Sequence, residues 1–323
     1  MARRACQSWW RAGIGLIYAM GYLLILAAAP VVALVGVALV YGGPWWGTAA
    51  AFIAVPLEVI WFVALLVAVK RLCIGRVEAG VYPLESTQYL RYWFLSYLLT
   101  NTRMLLLPVY ATVYLPPLLR WLGASIGRDS EVSTVTHVTP DLLSVGEGCF
   151  LADACLVGGC RVHHGHIEIG GNRIGNKTFI GNSAVLPGGS DIGNDALLGV
   201  LSTPKSGQTL PDNERWLGAP AFVLPSTQKE LNFSDVQTYQ PTRKARRSRA
   251  ISDAIRILLP GMIVTAALTL FITFLVFAGG WWPMWVVVAT VPLLATVLAF
   301  ATIASVAVVK RLLIGTFEPT VQP

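Results

Sequence analysis

From Ile174 to Thr203 the chain repeats every six residues, reading IGNKTF, IGNSAV, LPGGSD, IGNDAL, LGVLST. An aliphatic residue opens each hexad (Ile174, Ile180, Leu186, Ile192, Leu198), and a small one sits four places on (Thr178, Ala184, Ser190, Ala196, Ser202). A fixed period of six with these residue types predicts short strands stacked in coils. The aliphatics pile inward on their equivalents one coil above, and the small residues fill corners with no space for more. The Gly-Asn pairs suit the left-handed backbone that a tight corner requires. A meander of hairpins is the competing arrangement, because Asn beside Gly also favours two-residue turns. It would need very short strands in unbroken register.

The period extends upstream. Ile126, Val132 and Val138 are six apart, and after a one-residue slip so are Val145, Leu151 and Val157. Cys149 and Cys155 fall on the small inward position, as core thiols. The stretch His163–Arg173, HHGHIEIGGNR, breaks the count and is expected to leave one corner as a loop. The coil should run from about Ile126 to Thr203, closed by WLGAPAFVLP, Trp216 to Pro225.

Elsewhere the pattern changes to long apolar runs. Ala12–Tyr41 and Trp45–Val69 are separated by Gly43-Pro44, and Ile255–Ala278 and Trp281–Val309 by Gly279-Gly280. Each is long enough to span a bilayer. Trp45 and Trp46 suit a membrane interface. Thr87–Trp121 mixes apolar residues with Tyr89, Arg91, Tyr92, Trp93, Arg103 and Arg120. Helices at the membrane surface are expected there, a short extra span being the competing reading. Glu58 interrupts the second run, and an intramembrane carboxylate is a functional candidate. With no partner charge nearby, a structural Glu facing a polar cavity or a neighbouring helix is the favoured reading.

Hydrophobic residues make up 55% of the chain, charged residues 13%, and mean hydropathy is +0.62, which excludes an ordinary soluble domain. The formal charge of +7 would suit nucleic acid, but Arg3-Arg4, Lys70-Arg71, RKARRSR (Arg243–Arg249) and Lys310-Arg311 all flank apolar runs. No nucleic-acid partner is therefore expected. The positive-inside rule puts these clusters, and the coil with them, on the cytoplasmic side of the inner membrane as a multi-pass protein. RKARRSR either contacts anionic lipid or only orients the chain. Five Cys without framework spacing argue against a disulfide-stapled secreted protein, and there is no CxxC.

An internal repeat is also present. VKRLCIGRVEAGVYP (Val69–Pro83) matches VKRLLIGTFEPTVQP (Val309–Pro323) without a gap, with Lys70, Arg71, Leu72, Ile74, Gly75, Glu78, Val81 and Pro83 recurring 240 residues later. The repeating unit is two spans, a linker, surface helices and a coil. The second copy stops in mid-motif, as in a fragment of a longer parent or one part of a split reading frame.

HVTPDLLSVGEGCFLADACLVG, FIGNSAVLPGG, LLGVLSTP and WLGAPAF resemble the membrane-embedded C-terminal half of Pls/PosA-type (ε-poly-lysine synthetase-like) non-ribosomal peptide synthetases. In that family, pairs of spans alternate with acyltransferase-like soluble domains. More broadly, the hexads and the closing GAPA tail resemble hexapeptide-repeat acyltransferases of the left-handed β-helix class. The resemblance implies a mixed membrane protein, with four transmembrane helices in two hairpins flanking a left-handed parallel β-helix, plus interfacial helices. The expected divisions are a transmembrane hairpin at 1–80, an interfacial helical linker at 81–123, the β-helix at 124–225, a basic linker at 226–252, and a second hairpin with the start of a truncated second unit at 253–323. The implied adenylation and carrier modules would lie upstream or on another polypeptide.

The resemblance implies transfer of an (amino)acyl group from a thioester to an amine or hydroxyl. The step needs a base for the nucleophile and donors for the oxyanion. No tightly bound cofactor is expected, the donor being a CoA or carrier-protein pantetheine thioester. His137, in VTHVTPD near a corner, is the candidate base. Asp141, four residues on, is placed to orient it, and Asp153 in LADAC is a second candidate. A surface His bonded to a turn is the competing reading of His137. Thioester-arm contacts are assigned to Asn182, Ser183 and the tail at Gly218 and Ala219, with Lys205 and Arg215 as candidates for its phosphate. His163, His164 and His166 raise a metal reading, as in hexapeptide-fold carbonic anhydrases, but adjacent His on a loop rarely converge as ligands, and no metal is expected. Against the enzyme stands a catalytically degenerate scaffold that anchors a synthetase, and more distantly a transporter resting on Glu58. Expected partners are membrane lipids, a carrier or adenylation module, and either a homo-trimer or sister units forming an intrachain pseudo-trimer.

Overall fold

The computed structural model describes residues 13, 15, 29–225, 239 and 241–314. The chain divides into two compact units, one of Met1–Tyr22 with Val63–Ala254 and one of Leu23–Phe62 with Ile255–Pro323.

The first unit is built on the hexads. Strands β2 (Ser125–Ile126), β4 (Leu143–Val145), β9 (Asn172–Ile174), β12 (Asp191–Ile192) and β14 (Thr209–Leu210) form one parallel ladder. Strands β3 (Glu131–Val132), β5 (Phe150–Leu151), β10 (Phe179–Ile180), β13 (Leu197–Leu198) and β15 (Arg215–Gly218) form a second. A third joins β6 (Leu156–Gly159) to β11 (Val185–Pro187), with His137 bridged to Leu156 as its first rung. Successive coils advance 19, 29, 18 and 18 residues, as the rungs Ser125, Ser144, Arg173, Asp191 and Thr209 show. Eighteen is three hexads, 19 contains the one-residue slip, and 29 contains the excursion. The aliphatics form the core: Ile180, Leu186 and Leu198 have no solvent exposure. Cys149 and Cys155 are buried, and burial pushes the Cys155 thiol up to about 11.

The Gly-Asn pairs do a different job from the one expected. The left-handed residues at the corners are the next ones along, Lys177, Ser183 and Asp195, in columns with Asp129 and Asn213 and with Ala154 and Leu201. Glycine is required because backbones of adjacent coils stack against it: a Cβ on Gly175 would lie 2.6 Å from the Asn194 nitrogen, and one on Gly181 2.6 Å from the Gly199 carbonyl carbon. The asparagines tie coil to coil. Asn176 Oδ1 accepts from Glu147 N (2.9 Å), Asn194 Oδ1 from Asn176 N (2.8 Å) and Asp212 Oδ1 from Asn194 N (2.6 Å). Gly175→Ala is therefore expected to destabilise the chain by about 1–3 kcal/mol or more by overpacking, read as a lower denaturant midpoint.

The excursion is an ordered hairpin. Strands β7 (Arg161–His163) and β8 (His166–Ile169) pair antiparallel, and β8 also pairs antiparallel with β1 (Gly80–Pro83). Beyond β15, the antiparallel strand β16 (Ala221–Val223) closes the coil. Helix α2 (Thr87–Leu106), capped by Ser86 Oγ on Tyr89 N, buries Tyr92, Phe94, Leu95 and Leu98. Helix α3 (Leu115–Leu122) leads into β2.

The helices of the second unit carry the apolar runs. Helix α1 (Ala29–Ala68) kinks at Gly43, at the expected hairpin, and Val35 and Ala54 pack together with Val31, Leu39 and Ala266 around them. Helix α4 (Arg243–Trp281) continues through Gly279-Gly280, and the break before α5 (Met284–Ile314) falls at Trp282-Pro283 instead. Proline lacks the N–H and pushes its predecessor out of helix, whereas glycine only weakens one. Three helical stretches among the described residues, Trp45–Ile74, Arg243–Trp281 and Met284–Leu312, are long and apolar enough to cross a membrane. Half of the expected first span, Ala12–Tyr41, lies outside the described residues. One carboxylate oxygen of Glu58 is buried without a hydrogen-bond partner among the described residues.

Candidate active site

His137 lies in the short stretch between β3 and the Pro140–Leu142 turn, where it opens the third ladder. Its carbonyl accepts from Val157 N (3.0 Å), which pins the backbone to the next coil. The imidazole is half-buried. Nε2 lies 3.2 Å from the hydroxyl of Tyr92, on α2, and the ring also hydrogen-bonds the Gly158 backbone. Gly158 is a bulge in β6: Val157 pairs with Leu186 and Gly159 with Pro187, leaving Gly158 extra at φ 84°. Such bulges re-aim the backbone next to functional groups. Behind it, the buried Asn172 donates to the Pro187 carbonyl (2.8 Å).

Burial lowers the His137 pKa below its ordinary 6.5, partly offset by the Gly158 bond. The ring thus gives up its proton more readily than an ordinary imidazole, which favours the neutral form that a base needs. The low-pH limb of any His137-dependent rate is expected below 6.5, as a pH–rate profile would show. The unfolded chain binds this proton more tightly than the folded one, so the fold loses stability as pH drops below 6.5 towards the lowered value.

Asp141 does not reach His137. Pro140 and the short turn carry it to Lys70, whose Nζ sits 2.7 and 2.6 Å from its two oxygens and 2.8 Å from the Gly75 carbonyl. Val77 N donates to Asp141 as well (3.0 Å), and both ionic side chains are buried, 5% and 7% exposed. The expected orienting role of Asp141 is therefore replaced by a structural one, and the side chain facing the imidazole is Tyr92. Spacing along the chain suggested the wrong partner. One clue was available: the internal repeat retains Lys70 and Gly75 as Lys310 and Gly315, more than a generic span-ending charge requires.

Of the other candidates, Asp153, Asn182 and Ser183 share one corner column. Asn182 Oδ1 accepts from Asp153 N (3.2 Å), Ser183 N donates to the Asp153 carbonyl (2.8 Å), and Leu201 N to the Asn182 carbonyl (2.9 Å). Thr203 N donates to the Gly218 carbonyl (2.9 Å) and Gly218 N to the Ser202 hydroxyl (2.9 Å), so Gly218 and the following Ala219 lie beside the stretch that leaves this corner. This corner leads into the ladder that His137 opens. Asp153 is exposed, and the Ser133 hydroxyl, with Thr134 (2.9 Å), holds its carboxyl below the usual range. It is a fixed acceptor rather than a base near neutrality. Lys205 is exposed, and Arg215 lies half-buried on β15. His163, His164 and His166 are exposed at the hairpin tip, and among the described residues no group of three His, Cys, Asp or Glu is arranged to hold a metal.

The basic segment at the start of α4 lies on the same unit. Arg246 pairs with Asp129 (2.7 Å) and Arg249 with Glu131 (2.9 Å), beside a cleft lined by Thr112, Arg120, Phe150 and Tyr239. These exposed pairs each contribute at most about 1 kcal/mol.

Coils of three hexads with inward aliphatics, glycines at the stacking points and a hairpin closure are those of a hexapeptide-repeat fold. No family model matches the chain. Its sequence is 33% identical over 194 residues to a delta-poly-L-ornithine synthetase of Acinetobacter baumannii (strain AB307-0294), over 60% of this chain. The match bears out the resemblance to poly-amino-acid synthetases, and the chain spans 15% of that protein's length. Solved structures that it matches include a maltose O-acetyltransferase from Clostridium difficile 630 (14% identity, TM-score 0.34, 47% of this chain and 95% of that one). Another is a galactoside acetyltransferase in complex with coenzyme A (20% identity, TM-score 0.31, 45% of this chain and 84% of that one).

Proposed function

We propose that this chain is a membrane-anchored, hexapeptide-repeat acyltransferase-like unit of a non-ribosomal peptide synthetase system, moving an (amino)acyl group from a thioester to an amine or hydroxyl. The observation that carries the reading is the imidazole of His137, half-exposed at the start of the third ladder beside the corner column. In this reading His137 takes the proton of the acceptor as its nitrogen or oxygen attacks the thioester carbon. The thiolate then leaves and is protonated in turn. Asn182, Ser183, Gly218 and Ala219 receive the amide-rich arm of a CoA or carrier-protein pantetheine donor, along a corner that Asp153 helps to fix.

The wider architecture belongs to the same proposal. The coil is a left-handed parallel β-helix at 124–225, facing the cytoplasm. Hairpins at 1–80 and 253–323 supply four spans, with the linkers at 81–123 and 226–252 between. The working partners are anionic lipid, a carrier or adenylation module, and further coils, in a trimer of chains or in sister units of one parent. The positive clusters that end the apolar runs support this sidedness.

The test is thiol release by the full chain in detergent, from acyl-CoA and acyl-pantetheine, with amino-acid and polyamine acceptors. Acceptor-dependent release supports the transferase. No release from either donor with any acceptor favours the scaffold reading, which the coil's rigid coil-to-coil ties support equally well.

A further inference from the structure

Helix α2 is not part of the coil, yet it delivers a phenol to the coil's one partly buried imidazole. Tyr92 is itself 6% exposed, and its ring centroid lies 6.1 Å from that of His137. The phenol stays protonated. Burial raises its pKa first, the neighbouring Cys160 thiol adds to this, and Ser96, one turn along the helix, opposes it. A protonated phenol can donate. A bond donated by this phenol across the 3.2 Å contact requires the lone pair on Nε2, which places the ring proton on Nδ1.

We propose that Tyr92 is a positioning residue for His137: its hydroxyl holds the imidazole in the neutral tautomer with Nε2 as acceptor, and keeps that nitrogen occupied until an acceptor substrate arrives. The proposal rests on the transferase reading for its catalytic consequence, but the coupling of phenol to imidazole stands on geometry alone. At 3.2 Å the bond is at the long end for a hydroxyl donor, so an incoming amine or hydroxyl can displace it from the lone pair. Between turnovers, the bulged Gly158 on one side and Tyr92 on the other fix the rotation of the ring. This places α2 within the machinery and gives a reason for a tyrosine on a buried face it shares with Phe94, Leu95, Leu98, Thr102 and Leu106.

The experiment follows the ring and not the reaction. The full chain in detergent is labelled at histidine carbon and titrated by NMR. It has four histidines, and the His137 signal is assigned by its loss in His137→Gln. A donor onto the lone pair favours the neutral ring, so Tyr92→Phe is expected to move the His137 midpoint upward by about 0.5–1 pH unit. A fluorinated tyrosine placed at 92 is a stronger donor of nearly the same shape and is expected to move it downward. An unchanged midpoint in both overturns the proposal. If Tyr92→Phe fails to fold, the fluorotyrosine chain decides alone. Where transfer is measurable, Tyr92→Phe lowers kcat by about two- to tenfold with donor KM unchanged. If His137→Gln leaves transfer intact while the NMR shifts appear, the transferase role of His137 fails and the positioning contact stands.

Discussion

Replacing His137 with alanine is expected to lower thioester-dependent transfer by about 10²–10⁴-fold, the usual contribution of a positioned base, without a comparable loss of stability. The side chain is half-exposed, and the backbone bonds that fix this part of the coil, from Val157 N to the His137 carbonyl and across the bridge to Leu156, do not involve the imidazole. The loss should appear in kcat, with donor KM little changed, because the corner column that would hold the thioester arm is untouched. The assay is the initial rate of thiol release at pH 7.5, with the circular dichroism spectrum as a control. A rate equal to that of the parent chain would leave the coil as a scaffold.

A larger structural effect is expected at the buried ion pair. Asp141→Ala leaves the Lys70 ammonium, 5% exposed, facing the Gly75 carbonyl alone, and strips the Val77 amide of its acceptor. Breaking a buried pair by removing one partner costs about 3–5 kcal/mol, and here a backbone hydrogen bond is lost too. Lys70→Met with Asp141→Leu removes both charges together and is expected to recover much of the stability, since an apolar pair of similar volume is often no worse. Urea midpoints for the single and double variants measure both quantities. Equal losses in the two would mean that the pair is not a coupled unit.

The two positions show what could and could not be read from the chain. The inward aliphatics and the slip between Val138 and Val145 follow from counting by six and sit where counting puts them, whereas the excursion lies earlier than the expected His163–Arg173, at Arg161–Ile169, with Asn172 and Arg173 already in the ladder. Periodicity registers which residues repeat, not which backbone angle each adopts, so the left-handed corners were assigned to Gly-Asn when they belong to Lys177, Ser183 and Asp195. Contacts between distant segments leave no periodic trace. Asp141 was matched to His137 because it is four residues away, while its partner lies 71 residues upstream. Tyr92, 45 residues before His137, looked like one aromatic among several in an interfacial stretch. The break at Pro283 was visible in the residues, but the glycine pair beside it drew the assignment.

The glycine contacts and asparagine ties have a consequence for how such a chain can vary in length. Coils meet through the same few atoms at the Gly-Asn corners, so there material can be gained or lost only in whole turns of 18 residues, while the remaining corner already carries the one-residue slip and the excursion. Excising Ile174–Asp191 would bring Ile192 onto Val145 and Asn194 into the place of Asn176, losing the side-chain tie of Asn182 to Asp153, where Val200 would stand. Removing any number short of a turn would set glycine against side chain and aliphatic against solvent. Size in this protein is accordingly quantised along the coil axis, while the hairpin at 161–169 leaves room for growth only at its tip, His163–His166, and both restrictions apply equally to an engineer and to a lineage.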